Sequence, residues 1–348
     1  MARDGERVID GVDQARVGSW LVANIAGATP TFQYERIGGG RSNITFRVTD
    51  GGGRSFVLRR PPLGQVLATA HDMTREYRAI TAVGPTAVPV PDTLGLCVDE
   101  AVNGAPFYVM TLVDGEVVDS PEKAERIAPD VRTAMADNII EVLASLHDLD
   151  VDAVGLGDFG RRDGYVERQL RRWTKQWEGS KTRVLRVVDE VGASLAQRIP
   201  AQQGVGVVHG DFRFGNCVTD TASGRIDAVL DWELCTLGDP LADLGYLGVF
   251  WSDDDGLGGR SNDPTAAGGF GSFSDAVARY AARSSRDLSN IGYYVAFQMW
   301  RSAIIMEGVY ARYLHGAMGD EPGVDLDFLA AAPVELTEQA HQALARLS

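Results

Sequence analysis

The stretch VVHGDFRFGN (residues 207–216), followed by AVLDWE (residues 228–233), decides how this chain is read. Val207 and Val208 form a short apolar strand that runs into His209, Gly210 and Asp211. Asn216 lies five residues beyond Asp211, and a second apolar strand ends at Asp231, fifteen residues further on. Moving a phosphoryl group requires a carboxylate near the acceptor hydroxyl and oxygen ligands for magnesium between the phosphates. Asp211 is the candidate catalytic base. The Asn216 amide oxygen and the Asp231 carboxylate are the candidate metal ligands, presented from two strand ends at one cleft edge. Glu233, two residues beyond Asp231, is a further polar candidate, assigned to the acceptor.

Before this stretch, the sequence reads as a sheet with helices. Val8, Ile9, Val12, Val17, Trp20, Leu21 and Ile25 recur near helical spacing, which predicts a leading helix over residues 6–26 that Gly27 and Pro30 end. FQYERI, SNITFRVT and RSFVLRR then read as three strands joined by glycine-rich turns. A helix is expected over residues 69–82, then an extended connector at residues 88–91, then strands TLGLCVD and PFYVMTLV around a turn at residues 102–105. The result is a five-stranded antiparallel sheet with one inserted helix, in a first lobe covering residues 1–113. The residues from Asp114 to Ser120 read as a hinge.

After the hinge the pattern becomes mainly helical, over residues 121–149, 163–199, 289–316 and 333–346. The two strands carrying the motif, with the catalytic loop at 207–216 and the metal-site strand at 226–233, interrupt it. Residues 252–272, rich in Gly, Asp and Ser, read as a loop. The second lobe therefore spans residues 114–348, and the fold class is α+β.

HGDxxxxN with a later strand-terminal Asp resembles the aminoglycoside phosphotransferase and choline kinase branch of the protein-kinase-like fold. That resemblance implies a bilobal architecture, ATP and magnesium as cofactors, Asp211 as catalytic base, and Asn216 and Asp231 on the metal. His209 would orient the loop, and Asp239 and Asp243 in LGDPLADLGYL would hydrogen-bond to it. GGGRSN resembles the phosphate-covering loop, with Gly39, Gly40, Ser42 and Asn43 at the nucleotide. YVMTLVDGE resembles the hinge whose backbone meets adenine, lined by Met110, Thr111, Leu112 and Val113.

In the kinase fold a basic residue on the third strand meets the α- and β-phosphates and pairs with a helix glutamate. The matching positions are Arg59 and Glu76. Lysine is usual there, but the first lysine of this chain is Lys123, so Arg59 has to serve. Arg60, its neighbour of opposite strand polarity, is expected to face solvent.

The acceptor is expected between the catalytic loop and the C-terminal helices, with Trp173, Arg301, Glu307 and Tyr310 as candidate contacts. Charged groups amid an apolar helix need partners, and Arg301 and Glu307 satisfy that need by pairing with each other, with neighbours, or with an acceptor. VLRRPPLG, HGDFRFGN and LDWELCTLGDP resemble the kinase-like domains fused to acyl-CoA dehydrogenases more than antibiotic-resistance enzymes. The implied acceptor is a small-molecule hydroxyl, on a hydroxyacyl-CoA or a related lipid-pathway metabolite. Aminoglycoside phosphorylation and a nucleotide-binding pseudokinase are the alternatives.

Composition narrows the field. The formal charge of -15 argues against general nucleic-acid binding. No apolar run reaches the length of a membrane span, and MARDGERVID lacks the apolar core of a secretory signal, so a cytoplasmic location is expected. Cys97, Cys217 and Cys235 show neither a disulfide framework nor zinc spacing.

Overall fold

The structure, a computed structural model, describes residues 9–38, 43–63, 72–253, 258–259, 263–316 and 324–346. The chain divides into two compact units, one of residues 1–114 with 227–233 and one of residues 115–226 with 234–348.

The first unit is built on five strands. Helix α1 (Gln14–Asn24) precedes β1 (Gln33–Ile37), β2 (Ile44–Thr49) and β3 (Ser55–Arg60). Then come α2 (Met73–Val83), β4 (Thr93–Cys97), the short α3 (Glu100–Asn103) and β5 (Phe107–Thr111). The order across the sheet is β1-β2-β3-β5-β4, every neighbouring pair antiparallel. Val17 and Leu21 of α1, with Ile25 just beyond it, form one core with Phe46, Val48, Phe56, Leu58, Phe107 and Val109 of the sheet. Each such burial contributes roughly 1.5–3 kcal/mol. The leading helix is shorter than expected. Gly11 sits at φ +92° and Asp13 caps the helix by accepting from the Arg16 amide, so among the described residues helix begins at Gln14. Likewise α2 begins at Met73 behind an Asp72 cap, and the expected turn near residue 103 is the one-turn helix α3.

Arg60 corrects the sequence reading. Side chains alternate along β3, and Arg60 shares its face with Phe56 and Leu58, which α1 covers. It is therefore buried, and its guanidinium donates to the carbonyls of Gly11 (2.7 Å), Asn103 (3.2 Å) and Pro61 (3.1 Å).

The second unit opens with β6 (Glu116–Val117), α4 (Pro121–Glu125), α5 (Pro129–His147), α6 (Tyr165–Ser180) and α7 (Arg186–Gln197). Strands β7 (Gly206–Val208), β8 (Cys217–Asp220) and β10 (Thr236–Gly238) follow, β7 pairing with β10 and β6 with β8, while β9 (Arg225–Val229) begins in this unit and ends in the segment assigned to the first. Helices α8 (Leu241–Val249), α9 (Phe273–Ala281), α10 (Ile291–Leu314) and α11 (Leu326–Ala345) complete it. Helix α10 is buried on almost every side through its first half, and Gly245 of α8 lets it approach closely, since a Cβ there would meet Tyr294 at 2.6 Å. Helix α11 starts seven residues before the expected Pro333, which lies inside it, because Asp325 provides the cap. Among the described residues no helix is long and apolar enough to cross a membrane.

Candidate active site

The first unit gathers charge around Arg59. This residue is the half-buried alternate of Arg60, on the face of β3 turned towards α2. Its Nε lies 2.9 Å from Glu76 Oε1, its Nη2 donates to Asp231 Oδ1 at 2.5 Å, and Glu233 Oε2 is 4.0 Å away. Asn43 Nδ2 donates to Glu76 Oε2 (3.2 Å) and Glu233 Oε2 (3.1 Å). Burial works against the Arg59 charge, but Glu76, Asp231 and Glu233 outweigh it and hold its pKa above the ordinary value. Burial likewise pushes Glu76 up to about 7, with the Arg59 cation pulling the other way. Asp231 has φ +66°, a left-handed conformation that costs a non-glycine residue of order 1–3 kcal/mol. The segment carrying it is anchored where the Val229 amide donates to the Pro89 carbonyl at 2.8 Å.

The second unit carries the HGD loop at the end of β7. Gly210 is at φ +86°, and a Cβ on it would meet Leu234 at 2.9 Å, so glycine is required. Asp243, fully buried on α8, accepts from the His209 amide (2.6 Å) and the Gly210 amide (2.8 Å) with its two oxygens. The Asp211 amide donates to His209 Nδ1 at 3.2 Å. A backbone amide can only donate, so Nδ1 is an acceptor and the ring props the loop. Asp239 does not touch this loop through its carboxylate. It accepts from Tyr294 Oη (2.6 Å) and from the amides of Leu241 and Gln203.

The Asp211 carboxylate is fixed from two sides. Asn216 Nδ2 donates to its Oδ2 at 2.6 Å and to its backbone carbonyl at 2.8 Å. Tyr246 Oη donates to its Oδ1 at 2.5 Å, and Arg213 Nε lies 3.7 Å from the same oxygen. Both acceptors of the Asn216 amide are oxygens, which fixes its nitrogen towards Asp211 and turns its Oδ1 the other way. Tyr246 is the residue that sequence reasoning missed. Its signal was present in LADLGYL, three residues after Asp243, one turn along the same helix.

The candidate acceptor residues fall into separate groups. Arg301 is flanked by Trp173 and Tyr246, its Cζ 5.3 and 5.2 Å from their ring centroids, and its Nη1 donates to the Gly210 carbonyl (3.1 Å) and Gln298 Oε1 (3.1 Å). Glu307 does not pair with it. Fully buried, Glu307 accepts from the Thr182 amide (3.0 Å), the Thr182 hydroxyl (2.6 Å) and Arg183 Nη2 (3.2 Å). Tyr310 stacks under the same Arg183, its ring centroid 5.1 Å from Cζ. These contacts tie the chain between α6 and α7 to α10. Glu233, assigned to the acceptor from sequence, sits instead in the Arg59 cluster. At the expected adenine segment Met110 is buried, and Thr111, Leu112 and Val113 are half-buried. Thr111 is already committed to Asp92, its amide to the carbonyl (2.9 Å) and its hydroxyl to the amide (2.9 Å). Gly39, Gly40 and Ser42 lie outside the described residues.

Residues 33–282 match the model of the phosphotransferase enzyme family, APH. The chain belongs to that family. The match extends from β1 through α9, so it takes in both the Arg59 cluster and the HGD loop. The Arabidopsis thaliana protein named "Probable acyl-CoA dehydrogenase IBR3" is 36% identical over 305 residues, 82% of this chain and 37% of that protein. The chain thus spans little more than a third of such relatives. Among solved structures, a Ralstonia eutropha protein provisionally named an aminoglycoside phosphotransferase aligns with TM-score 0.80 and 31% identity, covering 96% of this chain and 98% of that one. An amicoumacin kinase in complex with AMP-PNP, Ca2+ and Ami aligns with TM-score 0.59 at 17% identity, over 94% and 98% of the two chains. That likeness shows a shared fold. The kinase-like architecture follows from family membership.

Each unit also offers an oxygen of the hard type that magnesium takes. Among the described residues no group of three or more His, Cys, Asp or Glu could hold a metal alone. Magnesium bound with a nucleotide needs no such cage, since it takes one or two protein oxygens and completes its shell with phosphate and water. The Asp231 carboxylate and Asn216 Oδ1 are oxygens of the required hard type.

Proposed function

We propose that the protein moves the γ-phosphoryl group of ATP, with magnesium, to a hydroxyl of a small molecule, a hydroxyacyl-CoA or a related lipid-pathway metabolite. The observation that carries this reading is the Asp211 carboxylate, held by Tyr246 and Asn216 on a loop that Asp243 fixes. Each carboxylate oxygen has two lone-pair sites, so one donor on each leaves acceptor capacity for a substrate hydroxyl. Asp211 takes the hydroxyl proton while the acceptor oxygen bonds to the γ-phosphorus. The bond from that phosphorus to the β–γ bridging oxygen breaks, and ADP leaves with the electron pair.

Asp231 and Asn216 would each offer an oxygen to magnesium, which would supply charge neutralisation at the phosphate oxygens. Arg59 serves in place of the usual lysine. Glu76 holds its Nε side, and its five-donor fork retains N–H groups for the α- or β-phosphate. The AMP-PNP and divalent cation of the amicoumacin kinase complex support the cofactor assignment. The acceptor class rests on the resemblance of VLRRPPLG, HGDFRFGN and LDWELCTLGDP to kinase-like domains fused to acyl-CoA dehydrogenases.

The test compares wild type with Asp211→Asn for ADP release over pools of hydroxyacyl-CoA thioesters, amino alcohols and aminoglycosides, and for Mg–ATP affinity by calorimetry. Turnover should fall by ~10²–10⁴ while nucleotide affinity stays nearly intact. Collapse of ATP binding in a folded variant, or unimpaired turnover, refutes the role given to Asp211.

A further inference from the structure

Arg301 is an anomaly of charge. It is 7% exposed, yet among the described residues no carboxylate pairs with it. Its Nη1 is spent on two neutral oxygens, those of Gly210 and Gln298, and its Nε is buried with no hydrogen-bond partner. The Trp173 indole Nε1, on the ring that flanks the guanidinium, is also buried without a partner. A buried cation without a counter-charge is costly, and so is each buried donor left unpaired. Flanking aromatic rings recover part of that cost but offer no oxygen to the N–H groups.

The position of this cation ties it to the chemistry. Arg301 bonds to the carbonyl of Gly210, the residue before Asp211, and lies against Tyr246, whose hydroxyl holds the Asp211 carboxylate. Had Arg301 only to brace the loop, the single bond to Gly210 would suffice, and neutral glutamine could make it without burying a charge. The unspent donors call for an oxygen-rich, electron-rich group that arrives with the substrate.

We propose that Arg301 and Trp173 form the donor pair that receives an acyl oxygen of the phosphate acceptor, a carboxylate or a thioester carbonyl on the molecule whose hydroxyl Asp211 serves. This rests on the phosphotransferase reading above and adds which side chains receive the acyl group of the acceptor. The pair selects hydroxy acids or their thioesters over neutral polyols. It selects against cationic amino sugars, because a guanidinium beside the reacting hydroxyl repels ammonium groups. The free acid and the thioester present the same oxygen at the same carbon, so geometry alone makes them one class.

The experiment uses the 2-, 3-, 4- and 5-hydroxy isomers of pentanoate, each as free acid and as CoA thioester, with pentane-1,4-diol and kanamycin as acceptors lacking an acyl oxygen. ADP release is measured under saturating Mg–ATP for wild type, Arg301→Lys, Arg301→Met and Trp173→Phe. Wild type should favour at least one acyl compound over the diol by about tenfold or more in kcat/KM. A preference for acid or for thioester then identifies which oxygen is bound. Arg301→Met should raise KM for the acyl acceptors about ten- to a hundredfold and narrow their advantage over the diol. Arg301→Lys should restore part of it, more for the acid than for the thioester. Trp173→Phe keeps the ring, removes one N–H and gives a smaller effect in the same direction, which preserves the test if the Arg301 variants do not fold. Equal use of the diol or kanamycin by wild type, or a loss in the variants that is the same for every acceptor, overturns the proposal and leaves the phosphotransferase reading standing. Absence of both Mg–ATP binding and ADP release in wild type overturns both.

Discussion

Tyr246 Oη stands 2.5 Å from Asp211 Oδ1, so a side chain from helix α8 fixes the carboxylate assigned to the acceptor proton. The same helix supplies Asp243, which holds the amides of His209 and Gly210. Sequence gives the loop its chemistry, and α8 gives it its position.

Tyr246→Phe removes that hydroxyl and keeps the buried ring. Hydrogen bonds to charged groups contribute about 1.5–3 kcal/mol, which corresponds to roughly ten- to a hundredfold in rate if lost only in the transition state. We expect kcat to fall within that range and Mg–ATP affinity to change little, measured by steady-state kinetics and calorimetry. A variant as fast as wild type would show that Asn216 alone fixes Asp211.

Asp243→Ala should act on stability first. It strips the acceptor from two buried amides and removes the carboxylate that lies 3.5 Å from His147 Nε2. Each unsatisfied buried group costs about 1–3 kcal/mol, so a loss of roughly 3 kcal/mol or more is expected in urea unfolding. Asp243→Asn keeps an acceptor oxygen and should lose less. If the two variants were equally stable, the two amide bonds would not be what Asp243 contributes.

The motif residues stand out in the sequence because the chemistry proposed for them depends on type and spacing along one short segment. HGD, Asn216 and Asp231 are picked out in this way, and the resemblance to the kinase fold pairs Arg59 with Glu76, as the structure also has them. What sequence did not show was which faces get covered. Arg60 was expected in solvent because nothing in its own strand announces that α1 lies over that face. Glu233 was placed at the acceptor because it follows the motif, whereas the left-handed turn at Asp231 brings it to Asn43 and Arg59. Arg301 and Glu307 sit six residues apart on one helix, yet they serve different partners, because Thr182 and Arg183 come from a distant segment.

Arg60→Met tests the corrected reading of β3. Methionine keeps much of the apolar stem but leaves the Asn103 carbonyl without the Arg60 donor and the Gly11 carbonyl with only its bond from Asn103 Nδ2. We expect a loss of about 2–4 kcal/mol in chemical denaturation. Because Arg60 faces away from Glu76, Mg–ATP affinity of the folded variant should stay within a few-fold of wild type. A surface residue would change stability by less than about 0.5 kcal/mol, so the two readings of Arg60 are well separated.

Glu76 gives the fold a pH dependence whose sign follows from its burial. Its folded pKa is pushed up to about 7, from an ordinary value of 4.5. The folded state therefore holds this proton more tightly than the unfolded chain. The stability this provides is fully present below pH 4.5 and is lost as pH rises through about 7. Glu76→Gln removes the titration and retains an oxygen towards Arg59. In nucleotide-free protein, the stability of the variant relative to wild type should therefore improve between pH 5 and pH 8, by at most on the order of 3 kcal/mol. Other carboxylates titrate alike in both proteins, so the difference isolates Glu76. Urea unfolding at the two pH values measures it. A constant difference would mean that Arg59 keeps Glu76 ionised throughout, and a decline towards pH 8 would mean that the ion pair outweighs burial. In either case the attraction of the cation, and not desolvation, would govern the Arg59–Glu76 pair.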